Sequence, residues 1–124
     1  GIRQAIEAVG RHTEAAGLDV PVEVEARTLD EVDAVLAAVA DGARVDRVLL
    51  DNMARRTPDG LDVSVLEEAV RRVGNAIQTE ASGNVTLDTV GRIGATGVDF
   101  ISSGALTHSV TALDVSLKIG LEPG

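Results

Sequence analysis

A parallel α/β sheet is the fold this 124-residue chain predicts, and three features carry the prediction. Short runs rich in β-branched residues alternate with stretches in which apolar residues return every third or fourth position, and the connections between them are short. The apolar residues are almost all Val, Leu, Ile and Ala, since Phe100 is the one aromatic residue and Cys, Trp and Tyr are absent. Small aliphatics of this kind suit helices laid on a parallel sheet. Hydrophobic residues make up 44% of the chain and the mean hydropathy is +0.16, which predicts a packed core and argues against disorder.

Ile2, Ala5, Ile6 and Val9 are spaced by three and four, so a first helix is expected from Ile2 to Ala16, stopped by Gly17. Val20 to Ala26 alternates with β-branched residues and predicts a strand. Thr28 then caps a second helix, with Leu29, Val32, Val35, Leu36 and Val39 as its stripe and an end near Gly42. Arg47 to Asp51 repeats the strand pattern, and a loop containing Pro58 and Gly60 leads to a helix marked by Val63, Leu66, Ala69, Val70 and Val73 and stopped by Gly74. Ala76 to Thr79 reads as the third strand, running into Glu80 and the turn Ser82-Gly83-Asn84. Thr86 opens a helix to Ala95, Val98 to Ser102 is the fourth strand, and Ala112 to Ile119 alternates like a last one.

Four strands joined through helices imply right-handed βαβ crossovers. A closed parallel barrel takes about eight such units, so the pattern amounts to half a barrel. Its edge strands and one sheet face would need covering, by another chain or another copy. The opening Gly1-Ile2-Arg3-Gln4 lacks both Met and a signal sequence, as the interior or trimmed end of a longer polypeptide would.

The formal net charge is −9, from 20 acidic and 11 basic residues. That balance argues against nucleic-acid binding through a basic face, and no apolar run has the roughly 18–20 residues needed to span a bilayer. With no cysteine the chain neither requires nor excludes an oxidising compartment.

At or just beyond the carboxyl ends of successive strands the sequence places Glu25, Asp51 and Glu80. In a barrel these points converge on one mouth, where three acids would repel one another unless a cation joined them, either a metal or a positively charged substrate group or transition state. An oxygen-only donor set favours magnesium over zinc. Gly83 and Gly104 each follow a strand and would let backbone N–H groups approach a phosphate, although ordinary turns use glycine in the same way, and Ser82-Gly83-Asn84 with Thr86 also suffices as a turn and helix cap. Arg55 and Arg56 lie close enough to the mouth to meet an anion. His108, between Thr107 and Ser109, is a candidate acid, support or cap, and His12 is expected to be solvated.

Taken together, Val22-Glu23-Val24-Glu25, Leu49-Leu50-Asp51-Asn52-Met53, Glu80-Ala81-Ser82-Gly83-Asn84-Val85-Thr86, Ile101-Ser102-Ser103-Gly104-Ala105-Leu106-Thr107-His108-Ser109 and Ala112-Leu113-Asp114-Val115-Ser116-Leu117 resemble the quinolinate phosphoribosyltransferases over nearly the whole chain. The plant and algal branch looks most similar. The resemblance implies conversion of quinolinate and phosphoribosyl pyrophosphate to nicotinate mononucleotide, pyrophosphate and carbon dioxide, with magnesium, in de novo NAD synthesis. It also implies that residues 1–124 form a single partial domain, the C-terminal part of an incomplete (type II phosphoribosyltransferase) α/β barrel, with an N-terminal sandwich domain and the first barrel strands lying outside it.

By position, Glu25 and Asp51 match the family's acids for ribose hydroxyls and magnesium, and Glu80 matches the acid at the next strand end. Ser82, Gly83 and Asn84, with Gly104, Ala105 and Leu106, match the two phosphate loops, and His108 matches a nearby histidine. Many members have Gly where this chain has Asn84. The basic residues that hold the quinolinate carboxylates belong to the family's N-terminal half, some from a neighbouring subunit, and none of those motifs is present. The resemblance therefore implies a missing half or partner chain and a homo-oligomer, a dimer or hexamer. It places a plant or algal member in the plastid and a bacterial one in the cytoplasm. The alternative is a non-catalytic half barrel that serves as a structural or phosphate-binding subunit of a larger assembly.

Overall fold

The structure, a computed structural model, describes residues 1–104. The expected last strand at 112–119, and Ala105, Leu106 and His108, lie outside the described residues.

The chain begins with helix α1 (Ile2–Ala16). Gly17 closes it at φ 64°, a left-handed position that glycine adopts without a Cβ penalty, and the N–H of Leu18 reaches back to the Thr13 carbonyl at 2.8 Å. Strand β1 (Glu23–Ala26) follows. Helix α2 (Leu29–Ala40) is capped by the Thr28 hydroxyl, which accepts from the Glu31 N–H at 3.2 Å. Strand β2 (Arg47–Asp51) comes next.

Beyond β2 the structure departs from the sequence expectation. The segment read as a loop is an antiparallel hairpin, β3 (Arg55–Thr57) paired with β4 (Gly60–Asp62), turning at Pro58-Asp59. Helix α3 (Ser64–Val73) then leads to β5 (Gln78–Ser82), which starts and ends later than the expected Ala76 to Thr79. Helix α4 is only Val90–Gly94, because residues 87–89 form turns. The fourth main strand, β6, is Phe100–Ile101.

The main sheet is parallel throughout in the order β1-β2-β5-β6. Its two faces differ sharply. On β2, Val48 and Leu50 are fully buried, and on β5 so are Thr79 and Ala81, against Val32, Val35 and Ala38 of α2 and Leu66, Ala69 and Val73 of α3. The alternate positions, Arg47, Leu49 and Asp51 on β2 and Gln78, Glu80 and Ser82 on β5, point to the other face. The helices thus cover one side of the sheet, and the opposite side, the interior of a barrel, carries the charged residues. This α/β arrangement of parallel strands is that of a partial barrel.

Candidate active site

Register decides which acids meet. The pairing aligns Glu25, Leu49, Glu80 and Phe100 in one row across the sheet, and Asp51 with Ser82 two residues further on. At a rise of about 3.3 Å per residue, Glu80 therefore sits about 7 Å below the row of Asp51. The expectation that Glu25, Asp51 and Glu80 stand at strand ends holds for Asp51 and is corrected for the other two: Glu25 is followed by Ala26 in β1, Glu80 is the middle residue of β5, and the register sets Glu25 and Glu80 level with each other.

Glu25 and Asp51 do share a cation, and it comes from the chain itself. Arg27, in the loop after β1, brings its Nε to 2.7 Å from a Glu25 carboxylate oxygen and 3.5 Å from Oδ2 of Asp51. Two acids so placed raise the guanidinium pKa, Glu25 more than Asp51. The Asp51 carboxylate is gripped further: the Ser82 hydroxyl donates to Oδ1 at 2.8 Å and the Asn52 side-chain amide donates to Oδ2 at 3.2 Å. Its side chain is 19% exposed, against 69% for that of Arg27. Asp51 is thus fixed in a wall, and Arg27 lies over it at the solvent edge. Among the described residues no group of three or more His, Cys, Asp or Glu side chains forms a metal centre.

Glu80 belongs to a second cluster, with partners at the amino-terminal starts of β2 and β5. Arg47 approaches it at 3.3 Å, donates to the Gln78 side-chain oxygen at 3.5 Å and lies 3.7 Å from the centroid of Phe100. Its Nε is buried without a hydrogen-bond partner among the described residues. Burial pushes the Glu80 carboxyl up to about 7, the neighbouring Glu23 carboxyl adds to the rise, and Arg47 opposes it.

Above β5 the expected loop residues come together. Ser82, Gly83, Asn84, Val85, Thr86, Ser102 and Gly104 line a pocket of about 430 Å³. Gly83 has φ +91°, and a Cβ built there would lie 2.2 Å from Oδ1 of Asn52, so the position requires glycine twice over. Asn84 and Asn52 both adopt positive φ, at 56° and 57°, a conformation asparagine tolerates better than most residues. The Asn84 amide donates to the Ala54 carbonyl at 2.8 Å, and the Asn52 N–H donates to the Ser82 carbonyl at 2.9 Å, tying this loop to the one after β2. The N–H groups of Gly83 and Asn84 have no acceptor among the described residues.

Thr86 is not a helix cap. Its N–H donates to the Thr89 hydroxyl at 2.8 Å, and that hydroxyl donates to the Asn84 carbonyl at 2.6 Å. The β3–β4 hairpin brings Arg56 to this loop, where a guanidinium nitrogen lies 3.2 Å from the Thr86 hydroxyl. Arg27 and Arg47 are functional candidates that sequence reasoning missed. A signal existed, since Arg27 follows Glu25 by two residues and Arg47 precedes Leu49 and Asp51 by two and four, the spacing that shares a strand face.

Comparison with known proteins fits this arrangement. Residues 2–118 match the family model described as quinolinate phosphoribosyl transferase, C-terminal domain. The chain is 51% identical over 124 residues to the chloroplastic nicotinate-nucleotide pyrophosphorylase [carboxylating] of Arabidopsis thaliana, covering 98% of this chain and 36% of that protein. It is 35% identical over 119 residues to the probable enzyme of that name in Bacillus subtilis (strain 168), covering 94% of this chain and 36% of the relative. The solved structure of the nicotinate-nucleotide pyrophosphorylase from Francisella tularensis superposes with a TM-score of 0.71 at 32% identity, over 95% of this chain and 37% of that one. The chain thus spans about a third of the length of the relatives it matches. A match running through nearly the whole chain, together with a parallel half sheet whose inner face carries acids beside a glycine-turned loop, means that the chain belongs to the quinolinate phosphoribosyltransferase C-terminal domain family.

Proposed function

We propose that this chain carries the ribose-phosphate and magnesium side of a quinolinate phosphoribosyltransferase, the enzyme that converts quinolinate and phosphoribosyl pyrophosphate to nicotinate mononucleotide, pyrophosphate and carbon dioxide. The observation that carries the reading is the Glu25–Arg27–Asp51 cluster standing beside the Ser82–Thr86 pocket. A sugar phosphate places a polyol next to an anion, and here paired carboxylates stand next to backbone N–H groups. Ser82, Gly83, Asn84 and Gly104 would cradle the 5-phosphate, with Ala105, Leu106 and His108 completing that side. Arg56 adds positive charge at the rim.

The donor set suits magnesium, which is commonly held by one or two carboxylates with water and substrate phosphates completing its shell. Glu25 and Asp51 are such a pair: they already share a cation, and Glu25 opens to solvent. Bound there, the ion would neutralise charge on the departing pyrophosphate. The residues' own contribution is electrostatic. Positive charge develops on the ribose carbon as pyrophosphate leaves, and fixed carboxylates facing it stabilise that state without reorganising. Ser82 and Asn52 keep Asp51 in place while this happens.

Both substrates are polyanions and the chain is at −9, so basic residues for the quinolinate carboxylates come from an N-terminal half or a partner subunit in a homo-oligomer. We place the protein in the plastid of a plant or alga, or in the cytoplasm of a bacterium. The test is nicotinate mononucleotide formation by this chain supplied with the N-terminal half. Glu25→Gln and Asp51→Asn should each lower kcat by about 10²-fold or more without loss of fold. Undiminished product in both variants would sink the reading.

A further inference from the structure

The Glu25–Arg27–Asp51 cluster holds a cation that is loosely attached to a firmly built site. The Arg27 main chain is fixed, because its N–H donates to a Glu31 carboxylate oxygen at 2.6 Å at the start of α2. Its side chain is not fixed in the same way. The shortest approaches to the two acids are both from Nε, 2.7 Å to Glu25 and 3.5 Å to Asp51, and the two-pronged hydrogen-bonded fork that makes arginine–carboxylate pairs strong, which Arg71 forms with Glu68, is not formed here among the described residues. The guanidinium side chain is 69% exposed. Asp51, in contrast, is held by two further hydrogen bonds, from the Ser82 hydroxyl and the Asn52 amide.

We propose that Arg27 is a resident counter-cation that neutralises the Glu25–Asp51 pair in the metal-free protein and must be displaced for a divalent ion to bind, so that it sets the metal affinity of the site. The proposal rests on Glu25 and Asp51 being the metal-holding acids of the transferase described above. The physical basis is competition: Arg27 and a divalent ion would compete for the same two carboxylates, which repel each other unless one cation or the other is in place. Arg27 therefore neutralises the pair and opposes its occupation by a divalent ion. A guanidinium this exposed is worth little to the fold, so its removal leaves folding intact and frees the acids.

The experiment is a titration of the intact protein with Mn²⁺ alone, followed by calorimetry and by the loss of the free-ion electron spin resonance signal. Arg27→Gln should bind Mn²⁺ about three- to fivefold more tightly than the unaltered protein, the scale of one exposed ion pair, and Arg27→Lys, which keeps the charge, should stay within about twofold of it. Asp51→Asn, in either background, should abolish Mn²⁺ binding. Unchanged or weaker binding in Arg27→Gln overturns the counter-cation role, as does an equal gain in Arg27→Lys. Retention of binding in Asp51→Asn overturns the metal site itself, and with it the reading on which the proposal stands.

Discussion

Glu80 shows how a single register position changes the chemistry of a carboxyl. On the inner face of β5 it is largely withdrawn from water, faces Glu23, and is compensated in part by Arg47, so its pKa is pushed up to about 7 from an ordinary value of 4.5. The sign of the consequence follows from proton binding. Between those two values the folded chain holds a proton that the unfolded chain has already released, so folding stability is fully present below about pH 4.5 and is lost as pH rises through 7. At about 1.4 kcal/mol per unit the rise from 4.5 to about 7 corresponds to about 3.5 kcal/mol, and partial solvation of the carboxyl reduces the loss to the order of 2–3 kcal/mol. Urea denaturation at pH 5 and pH 8 should show the chain weaker at the higher pH, and Glu80→Gln should remove most of that difference. A slope that survives the substitution would mean that another group carries it.

At the scale of elements, the two loops after β2 and β5 form a clamp, and the clamp is what gives the candidate site its shape. Gly83 passes so close to Asn52 that an added Cβ would lie 3.1 Å from the Asn52 Cα as well as 2.2 Å from its Oδ1. The side-chain oxygen can move, but the backbone atom cannot do so cheaply. Gly83→Ala should therefore destabilise the chain by roughly 1–3 kcal/mol from backbone strain alone, read by thermal unfolding. Adding Asn52→Gly should return only the part due to the side-chain clash. If the double variant recovered everything, the positive φ at position 83 would carry no cost.

Which elements the sequence disclosed follows from the same geometry. Helices α2 and α3 and strand β2 each bury one regular face, and α1 carries a regular apolar stripe of which Ile6 is buried, so periodicity located all four to within a residue or two. β5 was displaced because its inner-facing residues are Gln78, Glu80 and Ser82: a barrel interior that holds polar groups makes a strand look like the start of a loop. The hairpin carried a readable turn signal in Pro58-Asp59-Gly60, but its strands are short and Arg-rich, so no apolar alternation marked them. The pocket loop was legible from its glycine and asparagines. The partnership of Arg47 with Glu80 and Phe100 was not, since it exists only through the alignment of three strands.

For the molecule as a whole, the described sheet stops at β1, whose outer edge has no neighbouring strand among the described residues. Beside that edge, Ile2, Ala5, Ile6 and Val9 of α1 and Val20, Pro21 and Val22 of the segment leading into β1 line an apolar groove of about 440 Å³, and Val9 and Val20 are each 43% exposed. An open strand edge next to apolar surface invites pairing with another strand. The net charge of −9 works against that at long range. Salt weakens the repulsion, shortening its range to about 10 Å at 0.1 M, while leaving apolar contact intact. The 124-residue chain by itself should therefore associate with increasing concentration, and more strongly at 0.5 M salt than at 0.05 M, in sedimentation equilibrium. Val20→Lys adds a charge at the groove where contact would form, and should shift the balance back toward monomer. Association that is unaffected by this substitution, or that weakens with salt, would place the contact on the charged inner face and leave the β1 edge without a role in it.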